Sequence, residues 1–378
     1  MIDCAAVDWT WREYESVLLH RPYRRNQAYY CVLMQESSRP LDEEDLALIH
    51  ALQLAPRAPW SELGRALAVD PVTAARRWNK LSSRGEAWVT VSPGPRLYDA
   101  LCIAYIDIAC RTGRTHHVAE QLARHPNMVT IERCTDAHTL LATVATADIT
   151  AMSRYTLDVL PAVSDVTAVR ACIVTHMFTE GGRWRIDALD ASQRAELRQP
   201  ASAPKTRADH SSVPDPQLLE LLSRDGRAPH QTLATALGVS PRTVKRRLDT
   251  LMRAGVLRFR CDFARPLGGY PIAVTFWAAA PAHDLADIGR SVIQHRHTRN
   301  CAAISGHHNL IIQANMTTTH DVLAFEHHLA TSHPSLRINE RTITLRHHKM
   351  LGHILDADGR STAIIPPYPW CDPLADLY

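Results

Sequence analysis

Long apolar runs are missing from this chain. No segment approaches the roughly 20 residues that a helix needs to cross a bilayer, and no signal peptide is evident. A helical membrane protein is therefore excluded from the reading, and a cytoplasmic one is expected. Metal-type cysteine spacing is missing as well. The nine cysteines are scattered, with no CxxC pair and no Cys/His zinc pattern. They read as buried thiols of a reducing compartment, and neither a disulfide framework, a metal nor a cofactor is expected. A dominant charge is also absent: 42 basic against 39 acidic residues leave a net charge of +3. Any nucleic-acid site must then be local. The 46% hydrophobic content over 378 residues is enough for two to four domains with real cores.

What the chain does have is one organising stretch, Pro229 to Gly255. Leu233, Ala236 and Leu237 share one face of a first short helix, and Gly238 follows where a left-handed cap wants glycine. Ser240 can cap a second helix, with Pro241 at its first position. Val244, Leu248 and Leu251 then point inward, and Arg242, Lys245, Arg246 and Asp249 outward. From Arg242 to Arg260 there are seven basic residues and one acid, Asp249. An apolar inner face and a cationic outer face suit a major-groove reader, because cations neutralise phosphates and guanidinium forks pair with guanine edges. A lone basic helix is usually a mere solvated face. Here the cap, the turn glycine and the preceding helix all agree.

The stretch occurs twice. At an offset of 170, Ala58 to Gly85 matches Ala228 to Gly255 without a gap, with twelve identities in twenty-eight positions. The proline at the first helical position, the inner leucines and the Arg-Arg pair recur. Copy one departs at Ala68, which stands where copy two has Gly238 and is expected to distort that turn. It departs again at Ala75 and Lys80, which replace Lys245 and Thr250. Trp78 takes the inner position of Leu248 and reads as core.

Each copy has a helix in front (Leu41–Leu54 and Asp215–Leu222) and a strand-like run behind (Ala87–Val91 and Val256–Phe259). This makes a winged form of the motif, with Ser92-Pro93-Gly94-Pro95 read as its turn. A second unit follows at the same offset. In copy one it is strand 101–108, helix 116–124, strands 129–134 and 139–144, helix 149–160 and strand 168–177. The order β-α-β-β-α-β is that of a ferredoxin-like fold, whose open sheet face needs a cover, so such units tend to pair. The fold class is α+β. The expected domains are an N-terminal extension (1–40), winged helix-turn-helix 1 (41–95), αβ domain 1 (98–180), a linker (181–213), winged helix-turn-helix 2 (214–264), αβ domain 2 (269–350) and an extended tail (351–378). The linker is loosest at Pro200–Pro204, with a short helix at Ser192–Leu197. Residues 1–33 have two readings: an extra arm, or a stretch upstream of a natural start at Met34.

Leu41-Asp42-Glu43-Glu44-Asp45 with Ile49, and Val239-Ser240-Pro241-Arg242-Thr243-Val244 with Arg246-Arg247, resemble the opening and reading helices of the Lrp/AsnC family of transcriptional regulators. The resemblance covers about 41–180 and 214–350, as a tandem fusion of two members. It implies sequence-specific binding of double-stranded DNA, and an αβ effector domain that mediates dimerisation and binds an amino acid or other small metabolite. Either a homo-oligomer or an intramolecular pseudo-dimer would result. The family's Gly-Asp-Tyr-Asp-like effector turn corresponds to Thr135-Asp136-Ala137-His138 in copy one and Ser305-Gly306-His307-His308 in copy two. The glycine survives only in the second, and the tyrosine in neither.

The expected DNA contacts in copy two are Arg242, Thr243, Lys245, Arg246 and Arg247, with Ser240 touching phosphate at the helix N-terminus. In copy one they are Thr73, Arg76 and Arg77, with Lys80 on the backbone. A salt bridge to the preceding helix is the competing role for Arg77 and Arg247. Thr135, Asp136, His138, Ser305, Gly306, His307 and His308 are the expected effector residues. The adjacent pairs His307-His308, His327-His328 and His347-His348 invite a metal reading. Neighbours on a strand face opposite ways, however, so a strand pair offers one ligand per site. Two rivals stay open. Siroheme decarboxylases resemble tandem proteins of this domain order, although their His-Asn-Tyr and Tyr-Asn-Leu-Trp runs are absent here. A pure assembly module with vestigial DNA binding is the other.

Overall fold

The computed structural model describes residues 40–135, 139–197 and 214–373. The N-terminal extension as far as residue 39, the loosest part of the linker, and Asp136 and His138 lie outside the described residues.

In copy one, helix α1 (Glu43–Leu54) starts with a capping box in which Asp42 and Asp45 each accept from the other's backbone N–H. Helices α2 (Trp60–Leu67) and α3 (Pro71–Ser83) form the helix-turn-helix. Ala68 between them is left-handed, with φ 54° and ψ 38°, close to Gly238 at φ 64° and ψ 29°. The expected distortion of the turn is not found. The alanine keeps glycine's geometry and bears the Cβ clash, roughly 1–2 kcal/mol. Strand β1 (Ala87–Pro93) follows. The turn expected at Ser92–Pro95 is instead the end of β1 and the start of a short helix, α4 (Pro95–Tyr98).

The first αβ unit is β2 (Cys102–Cys110), α5 (Thr115–Leu122), β3 (Met128–Cys134), β4 (Thr139–Thr146), α6 (Ile149–Arg154, prolonged by a π-helical turn) and β5 (Val166–Thr179). After α7 (Ala191–Leu197), the second head has α8 (Pro216–Arg224), α9 (His230–Leu237), α10 (Pro241–Arg253) and β6 (Leu257–Phe263). The second αβ unit runs β7 (Ile272–Ala279), α11 (Leu285–Val292), β8 (Thr298–Ile304), β9 (Leu310–Met316), α12 (His320–Ser332) and β10 (Arg337–Met350). The short strands β11 (His353–Leu355) and β12 (Ser361–Ile364) close the chain.

The strand behind each reading helix is present, and its hydrogen-bonding partner is the matching strand of the other copy. β1 and β6 pair antiparallel, Ala87 opposite Phe263 through Pro93 opposite Leu257. Thr90 falls opposite Arg260, its own counterpart at the 170-residue offset, so a pseudo-twofold axis passes between them.

The αβ units share that symmetry. Within each, the strand order is the ferredoxin-like one, β3-β4-β2-β5 and β8-β9-β7-β10. β5 and β10 are 14 residues long, beyond the length expected from sequence, because each serves two partners. The first half of β5 pairs with β2 and the second with β8; β10 pairs first with β7 and then with β3. Each unit's last strand thus covers the other's edge, and eight strands close on themselves, leaving no exposed edge among them. The helices pack on one sheet face of each unit, against Ile106 and Val118 in copy one and Phe276 and Phe325 in copy two. The opposite faces meet through Tyr105, Cys172, Trp277 and Ile311.

The described parts of the linker and tail hold more structure than their composition suggested. Trp184, Ile186, Leu189 and Leu197 join the core of the first head. His50 Nδ1 accepts from the backbone N–H of Ala188 and Leu189, and Gln53 Oε1 from that of Ile186. The expected helix at Ser192–Leu197 is α7. In the tail, expected to be extended, β11 and β12 form a hairpin, and Tyr368 and Trp370 pack on the second head.

Candidate nucleic-acid interface and effector seam

The second head presents a cationic face. Ser240 caps α10 by accepting from the N–H of Thr243, and Val244 and Leu248 are buried beneath the helix. Those two anchors fix its rotation and turn Arg242, Lys245 and Arg246 outward on one face, at i, i+3 and i+4. All three are exposed and carry no ion pair among the described residues. Thr243 is half-buried, with its hydroxyl bonded to Ser240 Oγ at 2.9 Å. Arg247 points back to Asp215 at 3.5 Å, at the cap of α8, with both side chains partly open to solvent. It can bridge helix and phosphate.

The first head presents a different surface. Thr73, Arg76 and Lys80 are exposed as expected. Arg77 is not available in the same way. It pairs with Asp42 at 2.9 Å, Asp45 at 2.6 Å and also Glu44, so contact with phosphate would require breaking a network that ties the reading helix to α1. Of the two roles read for Arg77, the salt bridge to the preceding helix is the one present in the structure, with three carboxylates at the start of α1 around a single guanidinium. Trp78 is buried, as its inner position required.

Two residues that matter here were missed. Asp70 caps α3 by accepting from the N–H of Val72, placing a carboxylate where copy two has the neutral Ser240. Val72 stands where copy two has Arg242 and is 75% exposed. Both were readable by aligning the copies at their offset. An acid at the N-terminus of a reading helix opposes phosphate, and an exposed valine suits a thymine methyl better than a guanine edge. The two heads are chemically unlike.

Thr135 and the turn at Ser305–His308 lie at the seam between the αβ units. The backbone N–H of Thr135 donates to Ile343 O, and that of Ser305 to Ile173 O, each at 2.8 Å. These are the same bond in the two copies. Ser305 Oγ also accepts from Ile173 N–H. Gly306 has a φ of 111°, which explains glycine there. His307 is exposed, whereas His308 is buried against Trp277 and accepts at Nδ1 from Asn339. Burial, and then the neighbouring His307, push the His308 imidazole below its ordinary range. A cavity of about 280 Å³ adjoins the seam, lined by Asp107, Cys134, Arg170, Trp277 and Glu340 among others. None of Thr135, Ser305, Gly306, His307 or His308 lines it. The Thr135 and Ser305 N–H groups and Ser305 Oγ bond across the seam, and the Asp107–Arg170 pair faces the space.

The histidine pairs diverge as strand geometry requires. His347 approaches Glu132 at 3.9 Å, while His348 lies against His116. Among the described residues no group of three or more His, Cys, Asp or Glu is placed to hold a metal ion. The seven described cysteines are free thiols. No described helix is long and apolar enough to cross a membrane.

Comparison with known proteins bears on the same elements. The AsnC-type helix-turn-helix domain matches residues 41–82 and 215–252, and the Lrp/AsnC ligand binding domain matches 103–184. An uncharacterised HTH-type transcriptional regulator of Pyrococcus horikoshii is 25% identical over 140 residues, covering 36% of this chain and 87% of that protein. The HTH-type transcriptional regulator FL11 of the same organism is 26% identical over 143 residues, covering 37% of this chain and 94% of its own. Each therefore corresponds to one half of the tandem. The crystal structure of the siroheme decarboxylase NirDL aligns with 82% of this chain and 93% of its own at a TM-score of 0.51, with 13% sequence identity, and so shares the overall fold. The chain thus carries AsnC-type helix-turn-helix domains at two positions, with an Lrp/AsnC ligand binding domain between them, the domain types of Lrp/AsnC transcriptional regulators in a tandem arrangement.

Proposed function

We propose that this protein is a cytoplasmic, non-enzymatic transcriptional regulator whose two unlike heads read the two halves of an asymmetric operator in double-stranded DNA. The observation that carries this is the exposed, unpaired trio Arg242, Lys245 and Arg246 on a capped helix whose inner face is locked into the head. Copy two supplies phosphate and guanine contacts through that trio, with Ser240, Thr243 and Arg247 at its margins. Copy one supplies Thr73, Arg76 and Lys80, with less positive charge. A simple family member uses two subunits to present two identical heads. Here one chain contains the pseudo-dimer, so the half-sites need not be palindromic. A small metabolite, amino-acid-like in the family's manner, acts at the seam between the αβ units, and whole chains associate further into homo-oligomers.

The test is footprinting of the purified protein on genomic fragments at two salt concentrations, beside the triple variant Arg242→Ala, Lys245→Ala, Arg246→Ala. The expected result is a protected site with two dissimilar halves that the triple variant no longer protects. Uniform binding that vanishes with modest salt, or an unaffected variant, would overturn the reading. The likeness of 82% of the chain to the fold of a siroheme decarboxylase supports one alternative, an enzyme acting on siroheme. Titration with siroheme followed by absorbance separates the two, because the regulator reading expects no saturable spectral change.

A further inference from the structure

A second cavity, of about 110 Å³, lies between the paired heads and the eight-stranded ring. Ser92 and Arg260 reach it from the β1–β6 pair, Tyr105 and Arg299 from the ring, and Trp370 from the tail. Most of its wall is apolar, including Leu97, Ile103, Val129 and Leu257. Its size approaches that of the roughly 150 Å³ apolar cavities that take up benzene.

Its polar groups are unusual in being unfinished. Arg299 is 6% exposed, yet no carboxylate lies within ion-pair distance of it among the described residues. Its hydrogen-bond partner is the Met350 thioether at 3.4 Å, a weak acceptor. The guanidinium lies against Gly181, where an added Cβ would come within 2.8 Å of Cζ. Ser92 Oγ and Thr130 Oγ1 are buried without hydrogen-bond partners, and both residues line the same space. The acid in the wall, Glu180, is already engaged by Arg258 at 2.9 Å, Arg260 at 3.4 Å and the N–H of Gly182. Asp262 is taken by Arg260 at 2.6 Å. Arg299 thus has no ion-pair partner among the described residues, while the nearby carboxylates Glu180 and Asp262 are already engaged by other arginines. A buried cation without a partner is strongly destabilising, and a buried hydroxyl without one loses the hydrogen bonds water would give it. Both deficits are relieved by a single acceptor with two oxygens.

We propose that this cavity binds a small monocarboxylate with an apolar body, its carboxylate on Arg299, Ser92 and Thr130. Ligand would then bridge the heads to the ring, so occupancy would set how firmly the reading helices are held relative to one another. That consequence rests on the regulator reading above; binding itself does not. None of Thr135, Ser305, Gly306, His307 or His308 lines this cavity.

The test is calorimetry on the full chain without DNA, using benzoate and isovalerate, with the uncharged benzamide and isovaleramide as controls. The expected result is one site per chain for at least one carboxylate, with at least tenfold weaker binding of its amide. Arg299→Met should weaken the carboxylate at least tenfold while leaving the amide unchanged. Should that variant fail to fold, Ser92→Ala is expected to weaken it about fivefold in a chain of unchanged melting behaviour. No saturable binding at up to ~10 mM, equal binding of acid and amide, or variants that bind normally would each overturn the proposal. DNA affinity is then measured with and without the carboxylate. Arginine-dependent binding in a chain that ignores DNA would retain the site and remove the regulator reading.

Discussion

Arg57 and Arg227, counterparts at the 170-residue offset, reach across the pseudo-twofold axis in opposite directions, each donating to the carbonyls that flank the other. Arg227 holds Pro56 O at 2.6 Å and Ala58 O at 2.9 Å; Arg57 holds Ala228 O at 3.0 Å and Gly226 O. Each guanidinium also faces an aromatic ring, Arg57 that of Phe259 at 5.0 Å and Arg227 that of Trp60 at 4.1 Å. Burial, and then the neighbouring Arg57, lower the Arg227 pKa to about 10, still charged at neutral pH. The pair closes the loops that precede the two helix-turn-helix motifs, and so fixes one head against the other.

Replacing either arginine by methionine should therefore loosen the head pair. Charge-assisted hydrogen bonds of this kind contribute about 1.5–3 kcal/mol each, and about 2 kcal/mol lost per variant is expected by urea denaturation. The double variant should lose less than the sum, since both act on one contact. Wild-type stability in the single variants would show that β1–β6 pairing alone holds the heads.

The chemical difference between the heads is testable at Asp70. Asp70→Ser keeps a capping oxygen for Val72 N–H while removing a negative charge from the helix N-terminus. DNA affinity should rise severalfold at low salt and less at high salt. An unchanged affinity would mean that the first head does not approach phosphate at α3.

Arg77 should behave as a structural residue. Arg77→Met is expected to cost about 1–2 kcal/mol by removing the links to Asp42, Glu44 and Asp45. DNA affinity should stay within twofold once the protein is folded. A tenfold loss of affinity at unchanged stability would return Arg77 to the DNA contacts.

Ala68 is strained by its φ of 54°. Ala68→Gly should stabilise the first head by about 1 kcal/mol, because the relief of the left-handed penalty exceeds the added unfolded-state entropy. A lower melting temperature in the variant would contradict that reading.

Acid should weaken the fold at an identifiable place. Burial, and then Arg185, lower the His50 pKa from 6.5 to about 4, and its Nδ1 must stay unprotonated to accept from Ala188 and Leu189. Burial also brings His348 and His353 to about 4. The folded pKa lies below the unfolded one, so the unfolded chain binds more protons between them. Stability is then complete above about pH 6.5 and falls as the pH drops towards 4. His50→Gln should flatten part of that slope, read from urea midpoints between pH 4 and 7. An identical slope would remove His50 from the cause.

The order of elements followed from local pattern. Helix caps, inward leucines and the 170-residue repeat are set by residues close in sequence, so both heads, both β-α-β-β-α-β units and the cationic face of α10 were readable from residue types and spacing. For Arg77 spacing left a DNA contact and a salt bridge to the preceding helix both open. The role of Arg57 was not readable, because its partners lie in the other copy, and spacing carries no information about such contacts. The same holds for strand pairing. β1 and β6 have the sequence of wing strands, but an edge bonds to whichever complementary edge the fold brings alongside, and the symmetry of the repeat brings the other copy. The partner left open for Arg299 belongs to this class as well. A buried arginine looks like any other in sequence, and only the packing decides that no carboxylate among the described residues comes within ion-pair distance of it.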